Sequence, residues 1–226
     1  MQAHALFPTL IVEETFSNHN EFKKIFEKNV LSYFNDEGVS FELTKNDLHH
    51  DSSLNQLYVF ATKVAKSYVS TMLLDPEIFD YYIPKSWLNV VGSQITPTHN
   101  HGEVSLSFVY YVNIPKGKEN KITFYDENEK RELFANCVRM LQPKEWNIFN
   151  SLGWSFTPQE GNMFVFPGKL NHGTEGVAGV IDQHVHSFSD YRSKRVAIAG
   201  DVVLVYKKPT LKYMGHQPLS QWRTFG

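Results

Sequence analysis

The chain has a single cysteine, Cys137, in 226 residues, so no internal disulfide can brace it and the disulfide scaffold of a small secreted domain is excluded. Charge of one sign is also missing: 22 Lys and Arg stand against 24 Asp and Glu, a formal net charge of -2. That balance removes the electrostatic footprint of a nucleic-acid or membrane-surface binder, and Lys194-Arg195 and Lys207-Lys208 are pairs rather than patches. No apolar run approaches the roughly 20 residues a membrane-spanning helix needs. The longest, around Val202 to Tyr206, is strand-sized. The start Met-Gln-Ala-His-Ala lacks the charged and apolar regions of a secretory signal, and the expectation is a cytoplasmic protein. Repeats, low-complexity tracts and clear linkers are absent as well. The length suits one domain over 1–226: a helical part over 1–80, a β core over 81–206 and a C-terminal extension over 207–226.

What the chain has is aromatic and β-branched residues, with Phe 17 and Tyr 11. Leu6 to Val12 reads as a short opening strand. Phe22, Ile25, Phe26, Val30 and Phe34 then recur at helical spacing, and a second helix carries Leu54, Leu57, Tyr58, Ala61, Val64, Ala65, Tyr68 and Met72 on one stripe. Ser53 and Gln56 stand at capping-box spacing before it. From Trp87 the period changes to two, with strands expected near Leu88 to Ile95, Val104 to Ile114, Lys121 to Tyr125, Met163 to Phe166 and Arg195 to Tyr206. Turn residues such as Pro115-Lys116-Gly117 and Gly161-Asn162 separate them. This order predicts a mostly β fold, a closed or sandwiched antiparallel sheet with N-terminal helices packed outside.

The chemistry is concentrated in Thr98-His99-Asn100-His101-Gly102-Glu103, at the mouth of a strongly β-forming run, and in Asn171-His172-Gly173 far downstream. Two imidazoles and a carboxylate on one face make the donor set that holds non-haem Fe(II) with positions left open. His101, Glu103 and His172 are the preferred ligands. His99 is the alternative, because His99, His101, Glu103, Ser107, Val109 and Tyr111 share parity and alternation cannot choose among the first three. His172 follows a strand and a Pro167-Gly168 turn, which is expected to bring the return strand back beside the first. His49 and His50 read as ordinary surface or hydrogen-bonded histidines.

Trp87-Leu88-Asn89-Val90, His99 to Glu103 with Ser107 to Pro115, and Gly161 to His172 together resemble the 2-oxoglutarate- and Fe(II)-dependent oxygenases of bacteria and tailed phages, particularly marine phages. The resemblance spans roughly Leu6 to Tyr206. It implies a double-stranded β-helix, or jelly roll, with Fe(II) on a two-His-one-carboxylate triad and 2-oxoglutarate and O2 as co-substrates. It also implies hydroxylation of a further substrate with release of succinate and CO2, in a bacterial or phage-infected cytoplasm. The family's basic residue on a late strand, which grips the far carboxylate of 2-oxoglutarate, is matched here by Arg195.

A guanidinium suits that role physically, since it pairs a carboxylate with two parallel charge-assisted hydrogen bonds. Ala197, on the same face, would leave room, and Tyr111 is placed to offer its hydroxyl to the same carboxylate. Arg192 and Lys194, in the polar run Ser189 to Lys194, read as solvated charge. The stretch from His172 to Arg195 is longer than the family's usual spacing and contains His184 and His186, a candidate lid whose histidines read as loop residues. Two other classes fit parts of the pattern. One is a cupin-like metalloenzyme that does not use 2-oxoglutarate, echoed by His99, His101 and Glu103. The other is a metal-free β-sandwich with a binding or structural role.

Overall fold

The computed structural model describes residues 8–33, 45, 47–91, 96–125, 144–147, 151–174, 187–207 and 223. His184, His186, Cys137, Phe34 and the opening Leu6-Phe7 lie outside the described residues, as does nearly all of the expected C-terminal extension. Two antiparallel sheets face each other. The larger runs β1 (Val12–Thr15), β7 (Asn162–Pro167), β4 (Leu106–Asn113), β9 (Arg195–Tyr206), β2 (Phe79–Val91). The smaller runs β3 (Thr96–His99), β8 (His172–Thr174), β5 (Ile122–Tyr125), β6 (Gly153–Phe156). Among the described residues three α-helices accompany them: α1 (His19–Asn29), α2 (Asn55–Thr71) and α3 (Phe188–Ser193).

Strand alternation sorts the core into two layers. On the outer face of the large sheet Leu88, Val90, Phe108, Tyr110, Val112, Met163, Val165, Val196 and Ile198 pack with the apolar stripes of α1 and α2, chiefly Phe22, Phe26, Leu57, Ala61 and Val64. On the inner face Tyr111, Phe164, Phe166 and Ala197 meet Ile122 and Phe124 of the small sheet. The helices thus seal the back of the large sheet and leave its front as one wall of a cleft.

Several expectations are corrected. The opening strand lies at Val12–Thr15, on the edge of the large sheet beside β7. The Ser53/Gln56 capping box does not form: Asp51 accepts the Ser53 N–H at 2.8 Å, a 3-10 turn over Ser52–Leu54 follows, and α2 begins at Asn55. Met72, past the helix end, is 53% exposed rather than on the buried stripe. β2 begins at Phe79, before the change of period at Trp87, and Pro84 falls where its register with β9 shifts between Tyr82 and Lys85. A proline has no N–H for the ladder, and the irregularity accommodates it. The polar run Ser189 to Lys194 is largely the helix α3, and Lys194 is buried with its carbonyl accepting from Asn113 Nδ2 at 2.8 Å. Arg192 is exposed, as expected.

His172 lies in the other sheet from the strand that precedes it. β8 does not return beside β7; it pairs with β3 and β5 in the opposite sheet. The Pro167-Gly168 turn therefore carries the chain from one layer to the other. Gly168 is required there, since a Cβ on it would lie 2.6 Å from Val104 Cγ2, 2.7 Å from Val104 O and 2.9 Å from His101 O.

Candidate metal and co-substrate site

His99 closes β3 and stands directly opposite His172 in the β3/β8 register, while His172 also pairs with Phe124 of β5. His101 lies just beyond β3, where its backbone N–H donates to Gly168 O at 2.7 Å, so the turn after β7 pins the loop that carries it. One ring nitrogen from each of His99, His101 and His172 lies within 4.8 Å of the others. Ring centroids are 4.4 Å apart for His99 and His172, and 5.3 Å for each pair involving His101.

In all three rings Nδ1 faces an acceptor. His99 Nδ1 is 2.8 Å from Pro97 O, His172 Nδ1 is 2.9 Å from Leu170 O, and His101 Nδ1 is 2.8 Å from Asp201 Oδ1. A neutral imidazole that donates from Nδ1 presents a lone pair at Nε2, so these contacts select one tautomer and leave three Nε2 atoms free to bind. Burial pushes the His172 imidazole down to about 4, against the opposing pull of the Leu170 carbonyl and with His99 and His101 adding to the depression. Desolvation of the ring lowers His99 as well. Imidazoles kept neutral in this way are poised as ligands rather than as cations.

Glu103 is placed differently. The chain leaves the extended conformation after His99, and Gly102 and Glu103 form an exposed turn. Glu103 is not among the gathered ligand atoms, whereas His99, the alternative, is.

The cleft beside these histidines is lined by both sheets: Trp87 and Asn89 from β2, Tyr111 from β4 and Arg195 from β9 of the larger, and Ile122 from β5 and Thr174 from β8 of the smaller. Trp87 stacks on His101 with centroids 5.5 Å apart and planes at 16°. Arg195 is 1% exposed, an unusual burial for a guanidinium, and burial lowers its pKa. Its Nη1 donates to Asn120 O at 2.6 Å, its Cζ lies 5.4 Å from the centre of the Tyr111 ring, and its Nε has no hydrogen-bond partner among the described residues. The Tyr111 hydroxyl is likewise without a partner there, and burial pushes it up to about 12, so it remains a donor. Ala197 is the cross-strand partner of Tyr111 and adjoins Arg195 on the same face.

The arrangement is one of unused capacity: three nitrogen lone pairs converge at one end of the cleft, and a guanidinium N–H and a phenol O–H are left over along the same wall. The donor set suits a divalent transition ion that tolerates imidazole, iron included. The two orphan donors suit a carboxylate. Residues 85–189, a little under half the chain, match the family model described as "Putative 2OG-Fe(II) oxygenase".

The fold is the jelly roll of the 2OG-Fe(II) oxygenases. An oxidoreductase of the 2OG-Fe(II) oxygenase family from Burkholderia pseudomallei superposes with a TM-score of 0.50 at 10% identity, covering 85% of this chain and 84% of that one. AviO1 from Streptomyces viridochromogenes Tue57 gives 0.52 at 10% identity over 86% and 90%. EctD from S. alaskensis, solved with 2-oxoglutarate and 5-hydroxyectoine, gives 0.51 at 13% identity over 86% and 72%. No curated protein sequence matches this chain. At such identities the likeness is one of fold, and the chemistry is argued from the residues.

Sequence reasoning missed Asp201. Its signal was available, because Asp201 shares the parity of Arg195, Ala197 and Ala199 on β9, the strand face that lines the cleft. No helix among the described residues is long and apolar enough to cross a membrane.

Proposed function

We propose that the protein is a 2-oxoglutarate- and Fe(II)-dependent dioxygenase that hydroxylates a further substrate, with His99, His101 and His172 holding iron and Arg195 with Tyr111 gripping the co-substrate. The observation that carries the reading is a buried guanidinium with an unused N–H on the same cleft wall as three convergent imidazoles. When bound, iron and 2-oxoglutarate would supply the oxidising chemistry, in which 2-oxoglutarate, O2 and the further substrate give succinate, CO2 and the hydroxylated substrate. The chain's own part is to bind, orient and exclude water. The Nδ1 contacts hold the three rings in their ligating tautomer. Arg195 and Tyr111 neutralise and orient the distal carboxylate in a low-dielectric pocket, where such hydrogen bonds are strong. Phe124, Phe164 and Phe166 keep the space between the sheets apolar.

A set of three neutral donors also favours a second reading, a cupin-like metalloenzyme indifferent to 2-oxoglutarate. The test is succinate formation from 2-oxoglutarate by the purified protein with Fe(II) in air. Succinate that disappears in His172→Ala supports the dioxygenase; metal binding with neither succinate formation nor affinity for 2-oxoglutarate supports the cupin.

A further inference from the structure

We propose that Asp201 is a positioning residue of the metal centre, acting through His101 and supplying the negative charge that the three ligands lack. The inference rests on the reading of His99, His101 and His172 as ligands. Asp201 is 6% exposed, in the middle of β9, between Ser107 of β4 and Lys85 of β2. Its Oδ1 accepts from His101 Nδ1 at 2.8 Å and from Ser107 Oγ at 2.9 Å. Lys85, the cross-strand cation, directs its ammonium over the Trp87 ring, 5.1 Å from the centroid.

Asp201 is therefore a buried carboxylate held by a hydroxyl and an imidazole N–H. A buried anion needs a compensating positive charge, and the hydrogen bond from the Ser107 hydroxyl supplies it only in part. A divalent ion on the far nitrogen of His101 completes the compensation. The contrast within the triad points the same way. His99 and His172 donate Nδ1–H to peptide carbonyls, whereas His101 donates to an anion, which raises the donor strength of its Nε2 and fixes the ring plane. Trp87 stacked on that ring and the Gly168 carbonyl on the His101 backbone fix the remaining freedom. The negative charge that a carboxylate ligand would carry is thus moved one bond network outward, which leaves all three protein ligands neutral.

The experiment compares wild type, Asp201→Asn and Ser107→Ala in the full chain, by anaerobic titration with Mn(II) in a calorimeter and with Co(II) followed by its visible absorption. Melting of each metal-free protein is measured alongside. Asp201→Asn keeps the shape and removes the charge; it is expected to weaken both metals by about 10- to 100-fold and to shift the Co(II) bands. Ser107→Ala, which only loosens Asp201, is expected to weaken them roughly two- to tenfold, and it decides the matter if Asp201→Asn does not fold. Wild-type affinity with an unchanged Co(II) spectrum in the variants, even with lower melting, would make Asp201 a purely structural residue and overturn the proposal. Failure of the wild type to bind either metal would instead sink the three-histidine centre itself, and this inference with it.

Discussion

Replacing Arg195 by methionine separates a group kept for a ligand from a group kept for the fold. Methionine retains most of the apolar stem and removes the guanidinium. Within the metal-free protein the losses and gains nearly cancel: the charge-assisted bond from Nη1 to Asn120 O is lost at a cost of about 1.5–3 kcal/mol, and a buried guanidinium no longer has to be desolvated. Stability should stay within about 2 kcal/mol of wild type. Binding of 2-oxoglutarate should suffer far more, because truncating one partner of a buried, hydrogen-bonded charge pair costs about 2–5 kcal/mol, or roughly 30- to 5,000-fold in Kd. Calorimetry of 2-oxoglutarate into Mn(II)-loaded Arg195→Met, set beside melting of the metal-free protein, measures both quantities. A Kd within threefold of wild type, or a collapse in stability with unchanged affinity, would refute the idea that Arg195 is held in reserve for a dicarboxylate.

Further outcomes bear on the ligand set and on the helical cover. His99→Ala should abolish stoichiometric Fe(II) binding while Glu103→Ala retains it, as read by metal analysis after gel filtration; the opposite pattern would restore Glu103 as the ligand. Tyr111→Phe should weaken 2-oxoglutarate by several-fold at most and leave metal affinity unchanged, since it removes one neutral donor. Glu160 tests the latch between α1 and the large sheet. Burial raises its carboxyl, but His19, Lys23 and the Ile114 N–H outweigh it and bring it to about 2 from the ordinary 4.5. A carboxyl depressed on folding adds stability above its unfolded pKa and loses it as pH falls through the folded one. Glu160→Gln should therefore melt lower than wild type at pH 7, the gap closing between pH 4.5 and about pH 2, and a gap independent of pH would refute the assignment.

Parity made much of this molecule legible before any coordinates. β9 occupies Arg195–Tyr206, the run the alternation marks, and Ser107, Val109 and Tyr111 face the cleft as their spacing requires. The apolar stripes of α1 and α2 lie against the sheet because helical spacing leaves them no other way to be buried. The choice between His99 and Glu103 was not legible, since parity holds only while the chain stays extended and β3 ends at His99. Nor was the partner of β8: a Pro-Gly turn looks the same whether it closes a hairpin or crosses between layers, and the difference lies in contacts of Gly168 with residues more than sixty positions away. Lys194 looked solvated because its neighbours are polar; its backbone is bonded to a buried asparagine on another strand, which no local pattern reveals.

One cleft is proposed to hold a divalent ion on three imidazoles and an organic diacid on a guanidinium. Anaerobic calorimetric titration of 2-oxoglutarate into the protein, with and without Mn(II), tests it most directly. Saturable binding at one equivalent is expected when the metal is present, and binding at least tenfold weaker without it. Equal affinity in both conditions, or no binding to the metal-loaded protein, would contradict it.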